Sequence, residues 1–117
     1  MSSSSTATPP ISLRTVLRDG RALMELAELQ RLMENTYGER DRGRGVSSTI
    51  AWIAEEIGEL AQAVRKGTDP ERLHELGDVL AWLASLANQL GLSMDDAVAR
   101  YASGCPRCEA MPCDCAP

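Results

Sequence analysis

Residues 52–60 read WIAEEIGEL and residues 75–83 read ELGDVLAWL, and these two strings decide the reading of the fold. In both, acids and apolar residues recur three and four positions apart, the spacing that stacks side chains on one face of an α-helix. At about 100° per residue, Ile53, Ile57, Leu60 and Val64 share one stripe. Glu55, Glu56, Glu59 and Trp52 fall in a sector turned roughly 100–130° from it. Around the second string Leu73, Leu76, Val79, Leu80, Leu83, Leu86 and Leu90 form the stripe expected to face the core, flanked by Glu75, Asp78 and Trp82. Packing the two helices together aims Glu56, Glu59, Glu75 and Asp78 at one shared space.

Four carboxylates gathered in one place repel each other and are costly to leave unneutralised. A hard divalent cation resolves this, because Mg²⁺ or Mn²⁺ prefers oxygen ligands and keeps waters that phosphate oxygens can replace. Any one of these acids by itself reads as a solvated helix-face charge. Two pairs at i, i+3 beside apolar stripes on consecutive helices read as a metal site.

Outward from these strings the whole chain reads as helical. A first helix builds on Leu23, Leu26, Leu29 and Leu32 or Met33, with its firm part at about 21–37, and Gly38 to Gly45 reads as a charged, glycine-punctuated loop. Ser47 or Ser48 is expected to cap the second helix, which runs to Lys66 before Gly67. The third starts at Asp69-Pro70-Glu71, with Asp69 as its cap, and ends at Gly91. Ser93 opens a fourth, from Met94 to about Ser103. No stretch alternates with the period of a strand, so the fold class is all-α. Four helices make a small core, and one pair of long helices cannot bury both apolar stripes. The bundle is therefore expected to be completed by oligomerisation, as a homodimer or homotetramer.

Three segments follow: a disordered Ser/Thr/Pro tail at 1–11, a helical domain at 12–103 and a Cys-rich tail at 104–117. The opening MSSSSTATPP lacks the basic and apolar regions of a signal peptide, and no apolar run reaches the roughly 20 residues of a membrane span. A cytoplasmic location is expected. The net charge of −5 argues against binding nucleic acid through a basic face.

With the spacing on the page, the chain resembles the MazG-like nucleotide pyrophosphohydrolases, over roughly residues 22–103. The family's hallmark is E-x-x-E, a spacer and E-x-x-D. Here Glu56 and Glu59 match the first pair and Glu75 and Asp78 the second, with fifteen residues between. The resemblance implies hydrolysis of a nucleoside triphosphate, NTP or dNTP, to monophosphate and pyrophosphate, with nucleotide-pool cleaning as the role. It also implies Mg²⁺, with Mn²⁺ as substitute, on the four matched acids of a helix-bundle oligomer. Metal ions would neutralise the phosphate chain and acidify the attacking water. Glu55 or Glu56 would accept its proton, and the sequence leaves that choice open.

No G-x-x-x-x-G-K-[ST] loop is present, so arginines must help hold phosphate. Arg40, Arg42 and Arg44 lie just before the second helix; of these Arg42 and Arg44 are the expected substrate contacts on the family's pattern, with Lys66 at the helix end a further candidate. Trp52 and Trp82 share the acidic faces and are candidates to stack a base. His74 completes an E-x-x-H with Glu71, half the signature of a di-iron bundle, but one chain lacks the second copy.

All four cysteines fall at the end, as Cys105, Cys108, Cys113 and Cys115 in C-x2-C-x4-C-x-C. This spacing fits a small structural Zn²⁺ knuckle, with disulfides or a disordered reducing tail as the other readings. Beside the hydrolase stands a non-enzymatic alternative, a zinc-stabilised helical interaction module whose acidic face binds a basic partner. A di-iron carboxylate protein is the third.

Overall fold

A computed structural model describes residues 23–117. The expected tail at 1–11, and the first part of the expected helical domain, lie outside the described residues. Among the described residues the chain forms α1 (Leu26–Arg44), α2 (Val46–Lys66), α3 (Asp69–Leu90) and the short α4 (Met94–Val98). No strand occurs among them, and the all-α reading holds.

The first helix differs most from expectation. The segment 38–44 is not a loop; it is the last two turns of α1. Glycine in a helix costs about 1 kcal/mol relative to alanine, and tertiary contacts outweigh that here. Asp41 is buried, its carboxylate takes a 2.7 Å hydrogen bond from Arg44, and its carbonyl takes one of 2.9 Å from the Gln89 side chain. Gly38 is also buried, and a methyl group there would run into the Glu34 carboxylate, which instead pairs with Arg42 at 2.8 Å.

The break comes only at Gly45, whose φ of 91° suits glycine and strains other residues. That one residue ends α1 and starts α2: its N–H bonds to the Asp41 carbonyl at 3.0 Å and its own carbonyl accepts from Thr49 N–H at 3.1 Å. Ser47 and Ser48, expected as caps, are therefore already inside α2. We expect Gly45→Ala to lower stability by about 1–3 kcal/mol, the cost of a residue held in a sparsely populated backbone region, read as a reduced thermal midpoint.

The cap of α3 is Thr68 rather than Asp69. Its hydroxyl accepts from the Glu71 N–H at 3.4 Å, and its N–H donates to the Glu71 carboxylate at 2.7 Å, a reciprocal box. The backbone bond from Thr68 holds the Glu71 carboxyl below its usual range. Just inside the helix, Arg72 donates to the carbonyls of Ala63 and Val64, both at 3.0 Å, and so ties off the end of α2. Ser93 caps α4 as expected, accepting from Asp96 N–H at 3.2 Å. That helix is shorter than expected and tightens after Val98 into one 3-10 turn, Ala99–Tyr101.

Helix α3 lies between α1 and α2 and packs on both. Gln30 of α1 and Asn88 of α3 exchange hydrogen bonds of 3.1 and 2.9 Å, and Gln30 also accepts from Met94 N–H at 2.7 Å. These bonds fix the turn into α4. Among the described residues the buried apolar side chains are few: Ile53, Ala63, Val79 and Ala84. Most of the leucines expected to face the core do not. Leu73, Leu76, Leu80, Leu83 and Leu90 lie along an exposed seam of α3, and Ile50, Ile57 and Val64 along an exposed edge of α2. The small side chains Ala84 and Ser85 let α3 come close to its neighbours, so the leucines are left on the outer side.

Candidate metal and nucleotide site

The antiparallel packing of α2 and α3 brings the two acidic strings side by side. Oxygens of Glu56, Glu59 and Glu75 lie within 4.8 Å of one another. Ligand atoms of Glu75, Asp78 and His74 form a second such group, so Glu75 belongs to both. Glu59 is exposed, whereas Glu56, Glu75 and Asp78 are half-buried.

Burial raises the pKa of Glu56 above the usual carboxylate range, and the negative charges of Glu59, Asp78 and Glu75 push in the same direction. A hydrogen bond with the Trp82 side chain opposes the shift. The Oε1 atoms of Glu56 and Glu75 are buried without a hydrogen-bond partner. Buried oxygen acceptors without donors, inside a set of mutually repelling carboxylates, fit a hard divalent cation.

Two hollows flank the acids. One, of about 300 Å³, is lined by Tyr37, Arg40, Asp41, Arg44, Asp78 and Trp82 among others. The other, of about 460 Å³, is bordered by Glu59, Gln62, Lys66, Glu71 and Glu75. Arg44 is held in the first by Asp41, and its guanidinium carbon stands 4.8 Å from the centre of the Trp82 ring. Trp82 also stacks on Trp52, with centroids 5.9 Å apart and planes 8° from parallel. Beneath them Thr49, fully buried, donates to the Gly45 carbonyl at 3.0 Å and accepts from Gln89 at 3.0 Å. Gln89 of α3 thus bonds both Thr49 of α2 and the Asp41 carbonyl of α1.

The expected residues separate into those brought together and those not. Glu56, Glu59 and Glu75 converge, Asp78 joins them through Glu75, and Arg44 and Trp82 line the hollow next to Asp78 with Trp52 stacked on Trp82. Lys66 borders the second hollow. Arg42 does not line either hollow and pairs with Glu34 on the surface. Glu55 is exposed and belongs to neither acidic group. Sequence reasoning missed Tyr37 and Asp41 beside this hollow and preferred Arg42 to Arg40, which lines it. Their spacing with Arg44 was the available signal, since i, i+3, i+4 and i+7 share a face once 38–44 is taken as helix. The E-x-x-H reading loses its glutamate, because Glu71 is engaged with Thr68; His74 is exposed and lies 3.4 Å from Asp78.

At the other end of the chain the sulfurs of Cys105, Cys108, Cys113 and Cys115 all lie within 4.8 Å of one another. Backbone N–H groups of Cys108 and Arg107 hold the Cys105 thiol down at about 6.

Among the described residues no helix is long and apolar enough to cross a membrane. No curated protein matches the chain significantly. The family model for the MazG nucleotide pyrophosphohydrolase domain matches residues 44–106, which takes in α2, α3, α4 and both acidic strings. That match spans more than half of the sequence and contains every converging carboxylate: the chain belongs to the MazG nucleotide pyrophosphohydrolase domain family.

Proposed function

We propose that the protein hydrolyses a nucleoside triphosphate, NTP or dNTP, to the monophosphate and pyrophosphate, using Mg²⁺, or Mn²⁺ in its place. The observation that carries this reading is the convergence of Glu56, Glu59 and Glu75, with two buried carboxylate oxygens that no donor satisfies. Glu56, Glu59, Glu75 and Asp78 would hold the ion. When bound, it supplies charge neutralisation for the triphosphate and acidifies the attacking water.

The chain's own groups do the rest. Arg44, braced by Asp41, offers a fixed fork of N–H donors to phosphate oxygens, and Arg40 adds a second cation on the same wall. Lys66 can meet phosphate from the second hollow. The stacked Trp52 and Trp82 give a flat apolar floor against which a base can lie. Of the two candidate proton acceptors, Glu56 is favoured over Glu55, because it stands inside the acidic group and Glu55 faces solvent. Arg42, paired with Glu34, has a subsidiary role in substrate binding at most.

The same reading has the chain work as a homodimer or homotetramer. The apolar seams of α2 and α3 are continuous enough along each helix to pack against a second copy. Cleaning the nucleotide pool in the cytoplasm is the corresponding cellular role.

Product analysis tests the reaction. Purified protein with Mg²⁺ and a panel of standard and modified NTPs and dNTPs is expected to release monophosphate and pyrophosphate in equal amounts. Diphosphate plus orthophosphate would reject this chemistry while keeping an enzyme. Absence of turnover with both Mg²⁺ and Mn²⁺ would favour the non-enzymatic interaction module.

A further inference from the structure

The geometry points to a second, separate metal site: Cys105, Cys108, Cys113 and Cys115 bind one Zn²⁺ as four thiolates and thereby close the C-terminal tail. Nothing in this inference depends on the hydrolytic reading. Zinc–sulfur bonds of about 2.3 Å in a tetrahedron place neighbouring sulfurs about 3.8 Å apart. The Cys105 and Cys115 sulfurs are 3.7 Å apart, and all four are mutually within 4.8 Å. All four are free thiols. Two disulfides would draw the sulfurs into two separate pairs, whereas here each sulfur has all three others as neighbours.

The backbone around them is shaped to the cluster. Cys105 N–H donates to the Ala110 carbonyl at 3.0 Å, and the Glu109 N–H returns to the Cys105 carbonyl at 2.6 Å, closing a tight loop around Cys108. Gly104, with φ of 111°, permits this closure, since a Cβ there would lie 2.8 Å from the Ala110 carbonyl oxygen. Backbone N–H groups also reach sulfur directly, Asp114 to Cys108 at 3.3 Å and Cys115 to Cys113 at 3.4 Å among them. Such bonds orient thiolates and temper their charge in metal sites.

The segment has no core that could hold this shape. Not one of residues 104–117 is fully buried, and Cys113 is exposed. A short segment without buried apolar surface takes its folding free energy from the metal. Four protein ligands leave no open position, so the zinc is structural. Soft thiolates and hard carboxylates also divide the two metals cleanly, zinc to the tail and Mg²⁺ to the helices.

The test uses the full chain, purified under reducing conditions and dialysed with excess Mg²⁺. About one zinc per chain is expected, falling below roughly a tenth in Cys108→Ser and in Cys113→Ser but unchanged in Glu59→Gln. Replacement by Co²⁺ should give the visible bands and sulfur charge-transfer absorption of a tetrahedral thiolate site. Should a variant fold poorly, the unmodified protein still decides the matter: zinc is expected to protect all four cysteines from alkylation, and a zinc-selective chelator to expose them while helical circular dichroism persists. Alkylation at the same rate with and without zinc would overturn the proposal. So would zinc retained in both serine variants.

Discussion

Replacement of Glu59 by glutamine is expected to lower Mg²⁺-dependent pyrophosphate release by more than about 100-fold, since even an outer partner of a metal site commonly costs 10–100-fold. Glutamine keeps the shape of the side chain and removes only the charge. Glu59 is exposed, so the substitution leaves no cavity. Its negative charge is also one of those that hold the pKa of Glu56 up. In the absence of metal the Glu59→Gln protein should therefore melt at the same temperature as the parent or higher, because a repulsion has been relieved. Addition of Mg²⁺ should then raise its midpoint less than it raises the parent's. Loss of turnover together with an undiminished metal-free midpoint separates a ligand from a structural residue. Glu55→Gln is the matched control, expected to retain activity within a few-fold. Full turnover in Glu59→Gln would remove the acidic group from the mechanism.

The second large effect concerns the exposed apolar seam. Leu76→Glu combined with Leu80→Glu is expected to convert the proposed oligomer to a monomer in sedimentation velocity experiments. Leu76 is 47% exposed and Leu80 41%, so roughly half of each side chain is available for burial against another copy. Full burial of a leucine is worth about 1.5–3 kcal/mol, so each half-buried side chain contributes roughly 1 kcal/mol. A two-fold interface counts each position twice, which brings the loss to about 4 kcal/mol, or about 10³ in dissociation constant. Because both side chains already face outward, the helical circular dichroism of the monomer should remain. A parent protein that sediments as a monomer, unchanged by the substitutions, would show that the seam has another purpose.

The clustering of the acids was legible because its pattern is written at short range. Two carboxylates at i, i+3 on a helix share a face whatever the helix packs against, and the pattern occurs twice on neighbouring helices. Helix ends with local signals were also readable. Ser93 caps α4, and Pro70 and Glu71 mark the start of α3, with Thr68 one position ahead of the expected cap. The arginine wall was legible only in part. Arg44 lines the hollow, but the preference for Arg42 over Arg40 and the omission of Tyr37 followed from glycines that read as a loop.

The helical period, two of the three connections between helices (at Gly67 and Gly91) and the acids that can meet were all readable from the chain, because they depend on residues within a turn or two of one another. Three further matters rested on contacts between residues distant in the chain or on the path of the backbone. Burial of Asp41 against Gln89 and Arg44 carried α1 through Gly38 and Gly43, outweighing the local preference for a loop. The small Ala84 and Ser85, rather than the leucine stripe, set where α3 meets its neighbours, so apolar periodicity marked a face without saying what covers it. Convergence of the four sulfurs, finally, depends on the path of the backbone from Gly104 to Cys115, which spacing alone does not fix.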